Sequence, residues 1–210
     1  MSARYELPPG ELDRREKILW AAEFQFALNG YHGTTLRGIA EEADVKLSLL
    51  MYHFKAKLDL YREIFARRQY VNVSRVTALE AIADLSAPTA LDEIVAAFAN
   101  PVLELHENPR DLWFARLVLR EASDPSSHER GILQEFFDPM AGKFIDALRR
   151  AVPGRSEEFY PWAYLFAVGA LTQSSFDVRI RDLAPAVDVD AKYRLLRGFI
   201  RAGWEASERP

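Results

Sequence analysis

Arg37, Lys46, Leu47, Ser48, Leu49, Tyr52, His53 and Lys57 fall in one short stretch, Thr34 to Lys57. Cations, hydroxyls and a flat ring suit phosphate oxygens, whereas short or apolar side chains such as Ser48 and Leu49 let a backbone approach base edges or meet a thymine methyl. The same chain offers little for catalysis. Its four histidines form no His-Glu-x-x-His pattern, and neither a Gly-x-Ser-x-Gly turn nor a phosphate-cradling glycine loop occurs. His106-Glu107 and His128-Glu129 are sequence neighbours, and neighbours on a helix point about 100° apart, too far to share a metal. No enzyme activity, metal or cofactor is expected.

The stretch needs two short helices to display those side chains. Ile39, Ala40, Ala43, Val45 and Leu50 sit where a helix-turn-helix keeps its small inner core, with helices expected over Leu36–Ala43 and Lys46–His53. Asp44 occupies the turn, where a short polar side chain tolerates the left-handed region. Thr34 or Thr35 caps the second helix. A first helix over Glu11–Asn29 buries Ile18, Leu19, Ala22 and Phe26 and stops at Asn29-Gly30. Arg4 in the arm ahead of it and, further on, Arg14, Arg15 and Lys17 are candidate phosphate contacts, with a solvated, frayed terminus as the alternative for the arm.

The rest also reads as helix. A long helix from Lys57 to about Asp84, roughly 40 Å at 1.5 Å per residue, is too long to serve the small head alone. Its wet side takes Arg67 and Arg68. Further helices are expected over Leu91–Ala99, a short one from Asn100-Pro101, Arg110–Ser123, a long one to Val152 bent near Pro139, Ser156–Ile180 and Val189–Glu205. The expected fold is all-α, a three-helix head over residues 1–56 and a helical body over 57–210. The 210 residues are 49% hydrophobic and carry no cysteine, so a large core is available and disulfides are excluded. Neither an apolar leader nor a run long enough to span a bilayer is evident, and a cytoplasmic protein is expected. The net charge of −4 argues against a nonspecific nucleic-acid coat. It leaves room for a reader whose docking face alone is positive.

The head resembles the TetR family of transcriptional regulators. The string Lys17-Ile-Leu-x-Ala-Ala-x-x-x-Phe26, then Asn29-Gly-Tyr and Thr34-Thr-Leu-Arg-x-Ile-Ala-Glu-Glu-Ala, carries the likeness. It continues as Val45-Lys-x-Ser-x-Leu-x-Tyr-His-Phe-Lys-x-Lys57, followed by Leu60 and Tyr61. Asp44 in place of glycine and Met51 in place of an aromatic are departures. The resemblance implies that Thr35, Arg37, Tyr52 and Lys57 hold phosphates of double-stranded DNA while Lys46, Leu47, Ser48, Leu49 and His53 face the major groove. For His53 a partly buried ring capping its helix, and for Tyr52 a ring packed on the first helix, are alternatives.

It further implies a homodimer on a palindromic operator, a repressor released by a small-molecule effector. Trp162, Phe166, Gly169, Gln173 and Phe176 on one helix, with Phe199 and Ile200 on the last, are the expected dimer face. Effector contacts are expected from Tyr70, Phe98, Trp113, Arg116, Arg120, Phe137, Met140 and Phe144. Arg116 and Arg120 are four apart and suit an anion or a salt bridge with Glu121 or Asp124. The long helix from Lys57 is expected to link effector and head. A helical small-molecule-binding or scaffold protein with little DNA binding is the competing reading.

Overall fold

The computed structural model describes residues 12–107, 111–174, 178–184, 186, 188 and 191–206. Every regular element among them is helical. They form two compact units, Met1–Gln69 with Asn108–Phe136, and Tyr70–Glu107 with Phe137–Pro210.

In the first unit, α1 (Arg14–Gly33) begins at an N-cap Asp13 whose carboxylate accepts from the Glu16 amide at 2.8 Å. Ile18, Leu19, Ala22 and Phe26 are buried along one face. Gly30 takes φ 71°, which only a residue lacking Cβ adopts without strain, and the helical path breaks there. α2 (Leu36–Glu42) and α3 (Leu47–His53) follow. Asp44 joins them at φ 52°. The Val45 amide reaches back to the Ala40 carbonyl (2.9 Å) and the Asp44 amide to that of Glu41 (3.2 Å), the two bonds of a Schellman turn. Ile39, Ala40, Ala43 and Leu50 are buried beneath this turn.

The helix expected from Lys57 to Asp84 is two helices, α4 (Lys57–Arg67) and α5 (Tyr70–Glu80), one in each unit. The break sits beside Arg68, which lies three and four residues beyond Phe65 and Ile64 and so shares their inward face. Far from being wet, Arg68 is 5% exposed. Its Nε and Nη2 grip Glu23 Oε2 and Oε1 at 3.0 and 2.7 Å, and Nη1 reaches Asp111 at 2.6 Å. Burial pushes the Glu23 carboxyl above the ordinary glutamate range, with Arg68 opposing. α7 (Leu112–Ser123) packs on α1, where Trp113 meets the Phe24 ring edge-on at 4.7 Å. Two short helices, α8 (Ser127–Arg130) and α9 (Ile132–Phe136), complete the unit. Arg130 holds Glu121 and Asp124, and Tyr61 donates to Glu121 at 2.9 Å.

The second unit contains α5, α6 (Ala90–Glu107), α10 (Asp138–Ala151), α11 (Phe159–Gln173), α12 (Val178–Leu183) and α13 (Ala191–Glu205). Two prolines behave differently from expectation. Pro101 lies inside α6, which runs on past Asn100 despite the missing amide. Pro139 occupies the first turn of α10, where no amide is needed, so it starts a helix and bends none. The expected helix to Val152 is instead α8, α9 and α10, interrupted at left-handed Gly131 (φ 67°) and at Phe137. Phe98, Phe144, Leu148, Tyr160, Ile200 and Trp204 form the centre of this unit. No helix among the described residues is long and apolar enough to cross a membrane.

Candidate functional site

The Schellman turn and the buried Leu50 leave the opposite side of α3 facing outward. Lys46, Leu47 and Ser48 are exposed, Leu49 is half-buried, and the Tyr52 ring is 80% exposed, which removes the alternative of packing on α1. An open cleft of about 630 Å³ is lined by Arg14 and Lys17 from α1 and by Asp44, Val45, Lys46, Ser48, Leu49 and Tyr52. Among the described residues Arg14, Lys17, Arg37 and Lys46 form no ion pair. Arg15, by contrast, pairs with Glu63 at 2.7 Å. The structure thus brings Arg14 and Lys17 beside α3. Sequence offered both as candidate phosphate contacts together with Arg15, and the crossing of α1 over α3 is what separates them from Arg15.

Thr35 caps α2, its Oγ1 accepting from the Gly38 amide at 3.0 Å, and its own hydroxyl proton remains to be donated. Arg37 is exposed one residue into that helix. His53 is half-buried at the end of α3, its ring 5.4 Å from that of Tyr52 and 6.3 Å from that of Phe54. Lys57 is more constrained. Its ammonium donates to the carbonyls of Tyr31 (2.7 Å) and Thr34 (2.8 Å) and sits 4.5 Å from the centroid of the Tyr31 ring. Burial lowers its basicity. Lys57 therefore ties the start of α4 to the loop between α1 and α2, and one N–H is left to point elsewhere.

The residues expected to line an effector cavity divide between the units. Trp113, Arg116 and Arg120 are on α7 in the first. Arg120 donates to the carbonyls of Ala27 and Leu28 at 2.7 Å each, closing the end of α1, while the Arg116 guanidinium lies over Trp113. The alternative salt bridge of Arg120 does not form, since Glu121 and Asp124 are held by Arg130. Tyr70, Phe98, Phe137, Met140 and Phe144 are in the second unit. Phe98, Met140 and Phe144 are buried, Phe137 is half-buried and Tyr70 is 53% exposed.

Of the residues expected at a dimer face, Trp162, Phe166, Gly169, Gln173 and Phe199 are exposed. Trp162 and Phe166 stack at 5.6 Å on α11, and Leu165 and Leu195 widen the apolar surface. A Cβ added at Gly169 would meet open space. Ile200 points the other way, into the unit's own core at 2% exposure, because it lies four residues from Leu196 and Trp204 on the inward stripe of α13. Phe176 lies outside the described residues, as does Arg4.

Comparison with known proteins agrees with this geometry. Residues 18–64 match the family described as bacterial regulatory proteins, tetR family, and residues 96–203 match the tetracyclin repressor-like C-terminal domain. The probable HTH-type transcriptional regulator YttP of Bacillus subtilis (strain 168) is 28% identical over 135 residues, 64% of this chain and 62% of that protein. The match therefore spans about three fifths of that relative's length. The uncharacterized HTH-type transcriptional regulator TtgW of Pseudomonas putida is 23% identical over 137 residues, 65% of this chain and 92% of that one. Among solved structures, the TetR family transcriptional regulator PfmR of Thermus thermophilus superposes with a TM-score of 0.63 over 95% of this chain and 100% of that one, at 18% identity, a likeness of fold. With a helix-turn-helix head matched by one model of the family and more than half of the chain by the other, this protein belongs to the TetR family of transcriptional regulators.

Proposed function

We propose that the chain is a cytoplasmic, sequence-specific DNA-binding repressor that sits as a homodimer on a palindromic operator and is released by a small molecule bound in its second unit. The cleft beside α3 carries this reading, because cations that form no ion pair among the described residues flank an exposed helix face. In this proposal Arg14, Lys17, Thr35, Arg37 and Tyr52 hold phosphates, with Lys57 acting chiefly to fix the α1–α2 loop. Lys46, Leu47, Ser48, Leu49 and His53 face the bases, where Ser48 lets the backbone approach and Leu49 takes a thymine methyl. The head-and-body boundary near Lys57 is a proposal of the same kind, with the DNA contacts confined to residues before it and at it.

The second copy is proposed to cover the Trp162, Phe166 and Phe199 face. Such a large apolar surface is uncommon on a monomer. A two-fold symmetric pair carries two α3 helices, one for each half-site of a palindrome. Release requires an effector that binds the two arrangements of the dimer unequally, with a coupling on the order of 1–3 kcal/mol.

Fluorescence anisotropy on DNA from its own promoter, over a salt series, tests the proposal. Arg14, Lys17 and Arg37 from two protomers imply a log–log slope of about −5. A slope near zero would instead favour a helical scaffold that binds little DNA.

A further inference from the structure

Arg75 interrupts an apolar face. It stands on α5 midway between Val71 and Leu79, four residues from each, and is 5% exposed. Its guanidinium lies 4.5 Å from the ring centroid of Phe98 on α6 and 5.4 Å from that of Phe144 on α10. The hydroxyl of Tyr164 on α11 also faces it closely enough to favour its charge. Four helices of the second unit thus converge on one cation. Its Nε and Nη2 are buried and, among the described residues, have no hydrogen-bond partner. Among the described residues no carboxylate pairs with it, and Asp138, which acts electrostatically on Tyr164, is exposed. Burial pulls the guanidinium down to about 10, so it is still a cation at neutral pH.

The two unpartnered atoms form one edge of the guanidinium, the fork that fits both oxygens of a carboxylate. Arg68 uses that same edge for Glu23, Nε to Oε2 and Nη2 to Oε1. Arg130 likewise turns Nε and Nη2 toward Glu121. At Arg75 the described residues supply the cation, the apolar walls and a hydroxyl, but no counter-ion. Buried donors in native proteins are nearly always satisfied, so this edge calls for a partner from outside the chain.

We infer that Arg75 receives the carboxylate end of the effector, an apolar or aromatic monoacid whose hydrocarbon part lies against Phe98, Phe144 and Tyr164. This rests on the reading of the second unit as an effector domain and adds the effector's chemical class. A monoanion fits better than a phosphate ester, because one cation and one hydroxyl cannot satisfy a dianion removed from water.

Titration calorimetry on the full chain with benzoate, octanoate, benzamide, octanamide and phenyl phosphate tests the inference. Each acid is expected to bind at least about tenfold more tightly than its amide, the ratio that a charge-assisted pair in a buried site supplies. In Arg75→Met that ratio should fall to about one, and in Arg75→Lys, which keeps the charge and loses the fork, it should fall partway. Equal affinities for acid and amide in the wild type, no binding of either acid, an undiminished ratio in both variants, or tighter binding of phenyl phosphate than of benzoate would each overturn it. The wild-type ratio needs no variant to fold. Operator affinity measured in parallel separates the two proposals: DNA binding with no preference for acids refutes only the effector class, and acid binding at Arg75 with a flat salt slope refutes only the repressor.

Discussion

Replacing Arg68 by alanine should be among the most damaging single changes to the first unit. The guanidinium and the Glu23 carboxylate are 5% and 3% exposed and meet through two parallel bonds. Removing the arginine leaves Glu23 buried and unpaired, which costs about 3–5 kcal/mol. Asp111 adds little, since its side chain is 16% exposed and rehydrates. At roughly 2–4 °C per kcal/mol for a chain of this size, the melting temperature should fall by about 6–20 °C. The loss has a pH signature. Burial already raises the Glu23 carboxyl in the folded state, and without Arg68 opposing, it rises further. A carboxyl with a raised folded pKa binds more protons folded than unfolded, so the variant should regain stability as pH falls through that folded value toward the ordinary glutamate range. Urea unfolding followed by circular dichroism at several pH values measures this. The double change Glu23→Leu with Arg68→Met removes both charges and should come within about 2 kcal/mol of wild type. A cost below about 1 kcal/mol for Arg68→Ala, or a double variant as damaged as the single one, would refute the account of this pair.

Further outcomes follow from the head and the apolar face. Asp44→Gly should raise stability by about 0.5–1 kcal/mol in thermal unfolding, because φ 52° strains a residue with a Cβ, whereas Asp44→Val at the same position should lower it. The double variant Phe166→Asp with Phe199→Asp should sediment as a monomer and lose operator binding while keeping its helical signal, since both rings are more than two-thirds exposed in the protomer. Lys17→Gln leaves one phosphate per protomer without its cation, so the salt slope of the dimer should flatten by about 2, whereas Ser48→Ala should leave the slope unchanged and shift the preferred half-site.

The head was legible because its determinants are local. Capping at Thr35, the apolar spacing of Ile39, Ala40 and Leu50 and the turn residue Asp44 all act within one or two helical turns. What sequence concealed depends on which helices meet. Arg68 and Arg75 each stand three or four residues from apolar neighbours on an inward stripe, and the spacing was available to be read. Its charge put Arg68 on the wet side, and only Glu23, 45 residues away, shows why it is inside; Arg75 drew no assignment from sequence. Arg120 has no sequence signal for its role, because the Ala27 and Leu28 carbonyls it closes lie 93 and 92 residues distant. The prolines illustrate the same limit. Pro139 follows a break and becomes a helix start, whereas Pro101 is carried through a helix whose Phe98 and Leu103 are buried on either side of it.

Arg68, Arg130 and Arg75 form a natural comparison within one chain. The first two present the guanidinium edge to a built-in carboxylate, and their burial contributes to the fold. Arg75 presents the same edge to nothing supplied by the described residues, so in the protein stripped of small molecules its burial should oppose the fold. Two unsatisfied donors cost about 1–3 kcal/mol each, against about 0.5–2 kcal/mol returned by stacking on Phe98 and Phe144. Arg75→Met, which keeps the length and loses the charge, is therefore expected to stabilise protein refolded from denaturant and dialysed by about 1–2 kcal/mol, or about 2–8 °C. Saturating the wild type with an acid should reverse the order, because binding to the folded state adds RT ln(1 + [L]/Kd) to the wild type alone. If Arg75→Met is instead the less stable protein when both are stripped, the guanidinium is satisfied within the protomer, and its edge does not await a ligand.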